Sequence, residues 1–190
     1  MTELRAEPGE LTRKRRSDAL DNRERIVAGA RAAFTADGTG VPTREVARRA
    51  GVGVATVYRH FPSRADLVDA VLAERVAECE ATMAAALAEV DPWVGLSVIV
   101  RGFAAWQAGD RGLNAVLLQG FPAQRDAHSR QLAALVERGR QAGVVRAGVT
   151  VEDVRAGLMG IAGLRGLPPE RAGRAIGRLT EVVLAGISAR

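Results

Sequence analysis

The 190-residue sequence holds one cysteine, one tyrosine, one lysine and two histidines. Cys79 has no second thiol for an internal disulfide, and no signal peptide is recognisable, so a reducing cytoplasm is the expected location. The most apolar stretch, near Leu96 to Val100, is far shorter than a bilayer span and is followed by Arg101, which argues against a membrane partner. Cys79 has no histidine close to it in sequence, and His128 is isolated. Metal-ligand spacing, a phosphate-cradling loop and a nucleophile elbow are all lacking. A small helical enzyme is thereby disfavoured: no catalytic residue, metal or cofactor is expected. Strand signals are scarce. The chain is long enough for one substantial core, or two small ones, without disulfide or metal support.

What is present is an uneven charge. Residues 1–64 hold 13 Lys+Arg against 8 Asp+Glu, whereas residues 65–190 are balanced at 14 each, so the whole net charge of +5 sits in the first third. Clustered cations neutralise phosphates and release condensed counterions, which makes this asymmetry a footprint for a polyanion. A solubilising tail is the plainer reading, since Arg13-Lys14-Arg15-Arg16 supplies four of the charges. Arginine outnumbers lysine 26 to one, and its fork suits phosphate and guanine edges.

Helix signals recur throughout, and the expected fold class is all-α with about nine helices. Residues 1–17 are polar, contain Pro8-Gly9 and lack apolar periodicity, which predicts a disordered basic arm. A first helix is predicted from about Asp18 to Asp37, with Ile26, Ala30, Ala33 and Phe34 on one face and Gly38 as its stop. Thr43 suits the cap of a second helix ending near Ala50, where Gly51 offers the left-handed backbone of a helix terminus. A third, from Val54 to His60, stops because Pro62 disfavours helical geometry at Phe61. Two short helices joined by a glycine-containing turn make a helix-turn-helix. Ser63 and Asp66 form a capping box opening a helix to about Val90, and Thr150 with Asp153 repeats the arrangement later. Between them, helices are expected from Asp91-Pro92 to Gly109, from Gly112 to Phe121 and from Gln124 to Ala142. Thr150 opens one to about Leu164, and the last runs from Pro168 or Pro169 to Ile187.

A recognition helix needs a core face, base-reading side chains and phosphate anchors. Val57 and Phe61, four apart, can hold the core with Val52. The opposite face carries Val54, Ala55, Thr56, Tyr58, Arg59 and His60. Hydroxyls and imidazole can donate to phosphate oxygens, arginine can pair bidentately with guanine, and small apolar groups suit the thymine methyl. Tyr58 and His60 can equally close the core of a small domain, and Arg59 can be a solvated charge. Their co-location with the charge excess favours the functional reading.

The segment Arg25-Ile26-Val27 to Phe34, then Gly38, then "VPTREVARRAGVGVATVYRHFPSRADLVDAVL" from Val41 to Leu72, resembles the TetR/AcrR family of transcriptional regulators. The resemblance implies a helix-turn-helix DNA-binding domain over residues 18–64, with the recognition helix at about 54–60. It also implies a helical ligand-binding and dimerisation domain over 65–190. By position it assigns Thr43, Thr56, Tyr58, His60 and Arg64 to phosphates. Arg44, Val54, Ala55 and Arg59 are assigned to base edges. Two departures stand out: Gly53 replaces the usual Ser or Thr cap, and Val54-Ala55 offers no base hydrogen bonds, which shifts specificity to Arg44 and Arg59.

Function is then expected to be that of a ligand-responsive repressor, binding double-stranded DNA at an inverted repeat as a homodimer. The glycine-bearing last two helices, about 150–187, are expected to form the dimer. An unknown small-molecule effector is expected in an apolar pocket drawn from Met83, Phe103, Trp106, Leu117, Phe121 and Met159, although such residues at helical spacing are more often ordinary core.

Overall fold

The computed structural model describes residues 8–109, 113 and 122–189. Among these the chain is all-helical, with eight α-helices and a short 3-10 turn. They are α1 (Pro8–Asp37), α2 (Thr43–Ala50), α3 (Val54–His60), α4 (Arg64–Ala88), α5 (Pro92–Gly109), α6 (Pro122–Gln141), α7 (Val151–Gly163) and α8 (Pro169–Ile187). The helix expected over Gly112–Phe121 lies outside the described residues, Leu113 excepted. Among the described residues no helix is long and apolar enough to cross a membrane.

The chain divides within α4 into two compact units, one ending at Ala73 and the next beginning at Glu74. The boundary expected from sequence falls earlier, at 64/65. Leu67, Val71 and Leu72 are buried, so the first turns of α4 belong to the core of the first unit.

In that unit Ile26, Val27, Ala30, Ala33 and Phe34 make a fully buried stripe on α1, facing Val46, Ala47 and Ala50 of α2. Gly29 permits the close approach: a Cβ there would stand 2.8 Å from the backbone nitrogen of Ala50. The expected start of α1 at Asp18 requires correction. The helix begins at Pro8, so residues 8–17 are helical rather than part of a disordered arm. Proline is well placed at a first helical position, and extending a formed helix through Glu, Leu, Arg and Lys needs no new nucleus. Residues 1–7 of that arm lie outside the described residues.

In the second unit, α5 to α8 and the end of α4 enclose a core that includes Ala86, Leu96, Val100, Leu135, Val154, Ile161, Ile176 and Leu184. Arg138 on α6 donates to the carbonyls of Leu87 (2.5 Å) and Glu89 (2.8 Å), answering the unsatisfied acceptors at the end of α4 with a cation. The expected capping box opens α7, where the Thr150 side chain accepts from the Asp153 amide and the Asp153 carboxylate accepts from Thr150. The end of the chain is tied back: Ala189 donates to the carbonyl of Val144 and Arg146 to that of Ser188.

Candidate nucleic-acid interface and effector cavity

The turn between α2 and α3 is fixed by backbone chemistry. Gly51 adopts φ 65°, ψ 36°, the left-handed region that a Cβ disfavours. The Val52 amide donates to the Ala47 carbonyl at 3.0 Å. Arg25 reaches from α1 and donates through Nη2 to the Gly51 carbonyl at 2.8 Å. Val57 and Phe61 are buried, and Val52 is half-buried beside them in sequence at the turn. Pro62 ends the helix after Phe61, whose backbone is extended at φ −134°. Ser63 then caps α4, its hydroxyl accepting from the Asp66 amide while Asp66 accepts from Ser63. Those bonds hold the Asp66 carboxyl below its usual range.

A second clasp joins α1 to α2. Arg49 donates to the Ala32 carbonyl (2.8 Å), the Asp37 carboxylate (2.7 Å) and the Glu45 carboxylate (2.8 Å). Arg48 donates to Glu45 as well. Hydrogen bonds from Arg48 and Arg49 draw the Glu45 carboxyl down to about 2. The pairing of Glu45 with Arg48 and Arg49 follows from i,i+3 and i,i+4 spacing on α2, whereas the reach of Arg25 to Gly51 and of Arg49 to Ala32 and Asp37 is set by tertiary packing and has no sequence signal.

With its buried side fixed in this way, α3 presents Val54, Ala55, Tyr58 and Arg59 to solvent, with Thr56 and His60 half-buried. Tyr58 is 52% exposed, which removes the reading that it closes the core. Its hydroxyl lies 3.5 Å from Thr43 Oγ1, at the outer limit of a hydrogen bond, so α2 and α3 bring two hydroxyls to one place. Thr43 itself is the first helical residue rather than the cap. Pro42 occupies the cap position with extended backbone and no side-chain bond, leaving the Thr43 hydroxyl uncommitted to the helix end. Arg44 is exposed in the same first turn. Arg64 is placed differently: its guanidinium donates to the Thr39 carbonyl at 2.8 Å and lies 5.5 Å over the Phe34 ring. Gly53, at the cap of α3, supplies no side-chain acceptor.

In the second unit a cavity of about 960 Å³ opens among α4, α5, α6 and α7. Of the apolar residues expected in a pocket, Met83, Phe103, Trp106 and Met159 line it, whereas Leu117 and Phe121 lie outside the described residues. Phe103 and Trp106 meet edge to face with centroids 6.3 Å apart. The polar lining has no sequence signal: Arg75, Glu78, Arg125, His128 and Arg155 share the wall. Arg75 lies 4.7 Å over the Trp106 ring and pairs through Nη1 with Glu78 at 2.7 Å. Cys79 is also in the wall, its thiol pushed up by burial.

Residues 26–71 match the tetR family of bacterial regulatory proteins. Residues 91–189 match the C-terminal domain of SbtR-like transcriptional regulators. The chain belongs to the TetR family of DNA-binding transcriptional regulators. Its second half is, more particularly, similar to the SbtR-like branch. The TetR transcriptional regulator SCO0520 from Streptomyces coelicolor is 31% identical, with 87% of this chain and 98% of that chain covered and a TM-score of 0.67. The TetR transcription regulatory protein from Mycobacterium vanbaalenii is 34% identical, covering 91% and 98%, with a TM-score of 0.65. An uncharacterized HTH-type transcriptional regulator, TtgW of Pseudomonas putida, is 38% identical over 66 residues, 34% of this chain and 49% of TtgW. The match thus spans about half the length of that relative.

Proposed function

We propose that the chain is a ligand-responsive repressor, acting in the cytoplasm, that binds an inverted-repeat operator as a homodimer. Thr43, Thr56, Tyr58 and His60 anchor phosphates, and Arg64 joins them by leaving Thr39. Arg44 and Arg59 read base edges, while Val54 and Ala55 meet thymine methyl groups. The outward face of α3 and the paired hydroxyls of Tyr58 and Thr43 support this assignment.

The observation that carries the ligand response is the course of α4. Its first turns put Leu67, Val71 and Leu72 into the first unit's core, and the same helix then supplies Arg75, Cys79 and Met83 to the cavity wall. A ligand that prefers one placement of this wall biases the helix on which the DNA-binding unit is built. Only one separation of two recognition helices, about 34–36 Å or one helical turn in the simplest case, suits both half-sites.

Dimerisation is assigned to α7 and α8. Gly157 is consumed within the protomer, a Cβ there meeting Val183 at 2.8 Å, but Gly173, Gly177 and Gly186 face open space. Gly173 and Gly177, four residues apart, share one side of α8 and leave it low enough for a second helix to approach closely.

The test is a gel shift on the DNA preceding the chain's own coding region, with stoichiometry from ultracentrifugation. A dimer shift is expected, lost in the double variant Tyr58→Phe, Arg44→Ala. No shift with the unaltered chain would leave a small-molecule carrier as the better reading.

A further inference from the structure

We infer that the cavity selects an amphipathic acid: a ligand with an apolar body and one carboxylate-class head, received by Arg75 and His128. The inference rests on the proposed role of this cavity as the effector site and adds the chemistry of the effector.

Apolar surface comes from both aromatic rings and from Met83 and Leu132, so the body of a ligand has a dry wall to occupy. What the polar wall leaves unpaired is a pair of buried nitrogens. Thr82 Oγ1 donates to the Glu78 carbonyl and Ser129 Oγ to the Arg125 carbonyl, each at 2.8 Å, so the hydroxyl protons are spent within their own helices. Arg75 Nε and His128 Nε2 are buried and have no hydrogen-bond partner among the described residues. The Arg75 Nε proton is a donor in every accessible state of the side chain, and His128 donates from Nε2 in the matching tautomer or as imidazolium.

Negative charge is scarcer in the lining than positive charge. Glu78 is the carboxylate of the wall, and it is already held by Arg75 at 2.7 Å. Arg75, Arg125 and Arg155 line the cavity beside that one carboxylate, and Arg155 pairs outside the lining with Glu152 at 3.7 Å. A ligand head rich in donors would meet the neutral oxygens of Thr82, Ser129 and Gln124 and leave the buried donors of Arg75 and His128 unpaired. A carboxylate satisfies a buried donor and complements the charge in one step, and hydrogen bonds to an ionised acceptor are the strong ones. The ring of Trp106 beneath Arg75 keeps the guanidinium plane in place, limiting the side-chain freedom lost when the head binds.

Probes that share a tail and differ only at the head isolate this claim. Decanoate, decan-1-ol and decyltrimethylammonium, all below their micelle concentrations, are titrated calorimetrically into the full-length protein without DNA. Decanoate is expected to bind at least ~10-fold tighter than the alcohol, and the cation weakest. Arg75→Gln and His128→Phe are each expected to weaken decanoate by about 10-fold while leaving decan-1-ol within about two-fold, which also certifies that the variants are folded. The inference is overturned by equal or tighter binding of the alcohol or the cation, by no decanoate binding up to ~1 mM, or by variants that weaken acid and alcohol alike. A gel shift with and without decanoate separates the two levels. Acid-selective binding with no change in the shift leaves the ligand class standing and counts against ligand-responsive repression. An intact shift from a protein with no acid preference overturns the ligand class and leaves DNA binding standing.

Discussion

Arg25 on α1 donates to the carbonyl of Gly51, 26 residues further on, and so ties the supporting helix to the turn that aims the recognition helix. The glycine is held from two sides, because a Cβ at position 51 would lie 2.7 Å from Arg25 Nη2 as well as on a left-handed backbone. Gly51→Ala is therefore expected to destabilise the first unit by about 1–2 kcal/mol. Arg25→Ala, which removes this exposed charged hydrogen bond and a long one to Asn22 Oδ1 at 3.5 Å, is expected to cost less, ~0.5–1 kcal/mol. Thermal melts rank the two, and equal losses would show that the arginine, not the backbone, fixes the turn.

Tyr58→Phe removes one hydroxyl from an exposed ring, so the melting temperature is expected to stay put while DNA affinity falls by roughly 10-fold, the loss of one good phosphate contact. The salt dependence separates this from a charge effect. Deleting a neutral donor leaves the slope of log affinity against log salt unchanged, whereas removing an arginine bound to phosphate lowers it by about one. A flattened slope in Tyr58→Phe would contradict the assigned role.

Arg59 stands beside two residues that cannot hydrogen-bond a base. Arg59→Ala is accordingly expected to relax discrimination at one operator position by ~1–3 kcal/mol, with binding to unrelated DNA little changed. A panel of operators altered one base pair at a time provides the measurement. A uniform loss across the panel would move Arg59 to the phosphate backbone.

Glu45 links the clasp to acidity. Its carboxyl titrates at about 2 in the folded protein against an ordinary 4.5, because Arg48 and Arg49 favour the ionised form. The stabilisation is complete above the unfolded value and is lost as pH falls through 4.5 towards 2. Glu45→Gln is expected to melt below the unaltered chain at neutral pH, with the gap closing as the solution is acidified through that window. A gap that stays constant would mean that the pair adds nothing through charge.

Much of the fold is legible in the sequence because its punctuation is local. Gly51, Pro62, the Ser63/Asp66 box and the Thr150/Asp153 box each act within a few residues, and the apolar stripe of α1 needs only helical spacing. What escapes depends on partners far away in sequence or on competition between neighbours. Thr43 reads as a cap because its residue type suits one, but Pro42 already supplies the extended backbone there. The start of α1 is hidden because polar helix formers extend a helix without any apolar period to betray it. Aromatic residues mark the cavity, whereas Arg75 and His128, on different helices, look like ordinary surface residues until packing places both in one wall.

The outer face of α8 gives the sharpest test of assembly. A side chain added at Gly173 or Gly177 meets nothing within 4 Å in the protomer, so the fold has no steric objection to it. A second helix laid closely on this face does, and a long charged side chain there must either be buried unpaired or hold the helices apart. Arginine at both positions, Gly173→Arg with Gly177→Arg, is expected to give a monomer that melts no lower than the dimer's own dissociation requires. Replacing glycine also removes a penalty of about 1 kcal/mol in a helix interior, which favours the isolated protomer. Sedimentation velocity reads the mass directly. A variant that remains dimeric would place the interface elsewhere, and one that is monomeric yet still occupies both half-sites cooperatively would separate operator binding from this face.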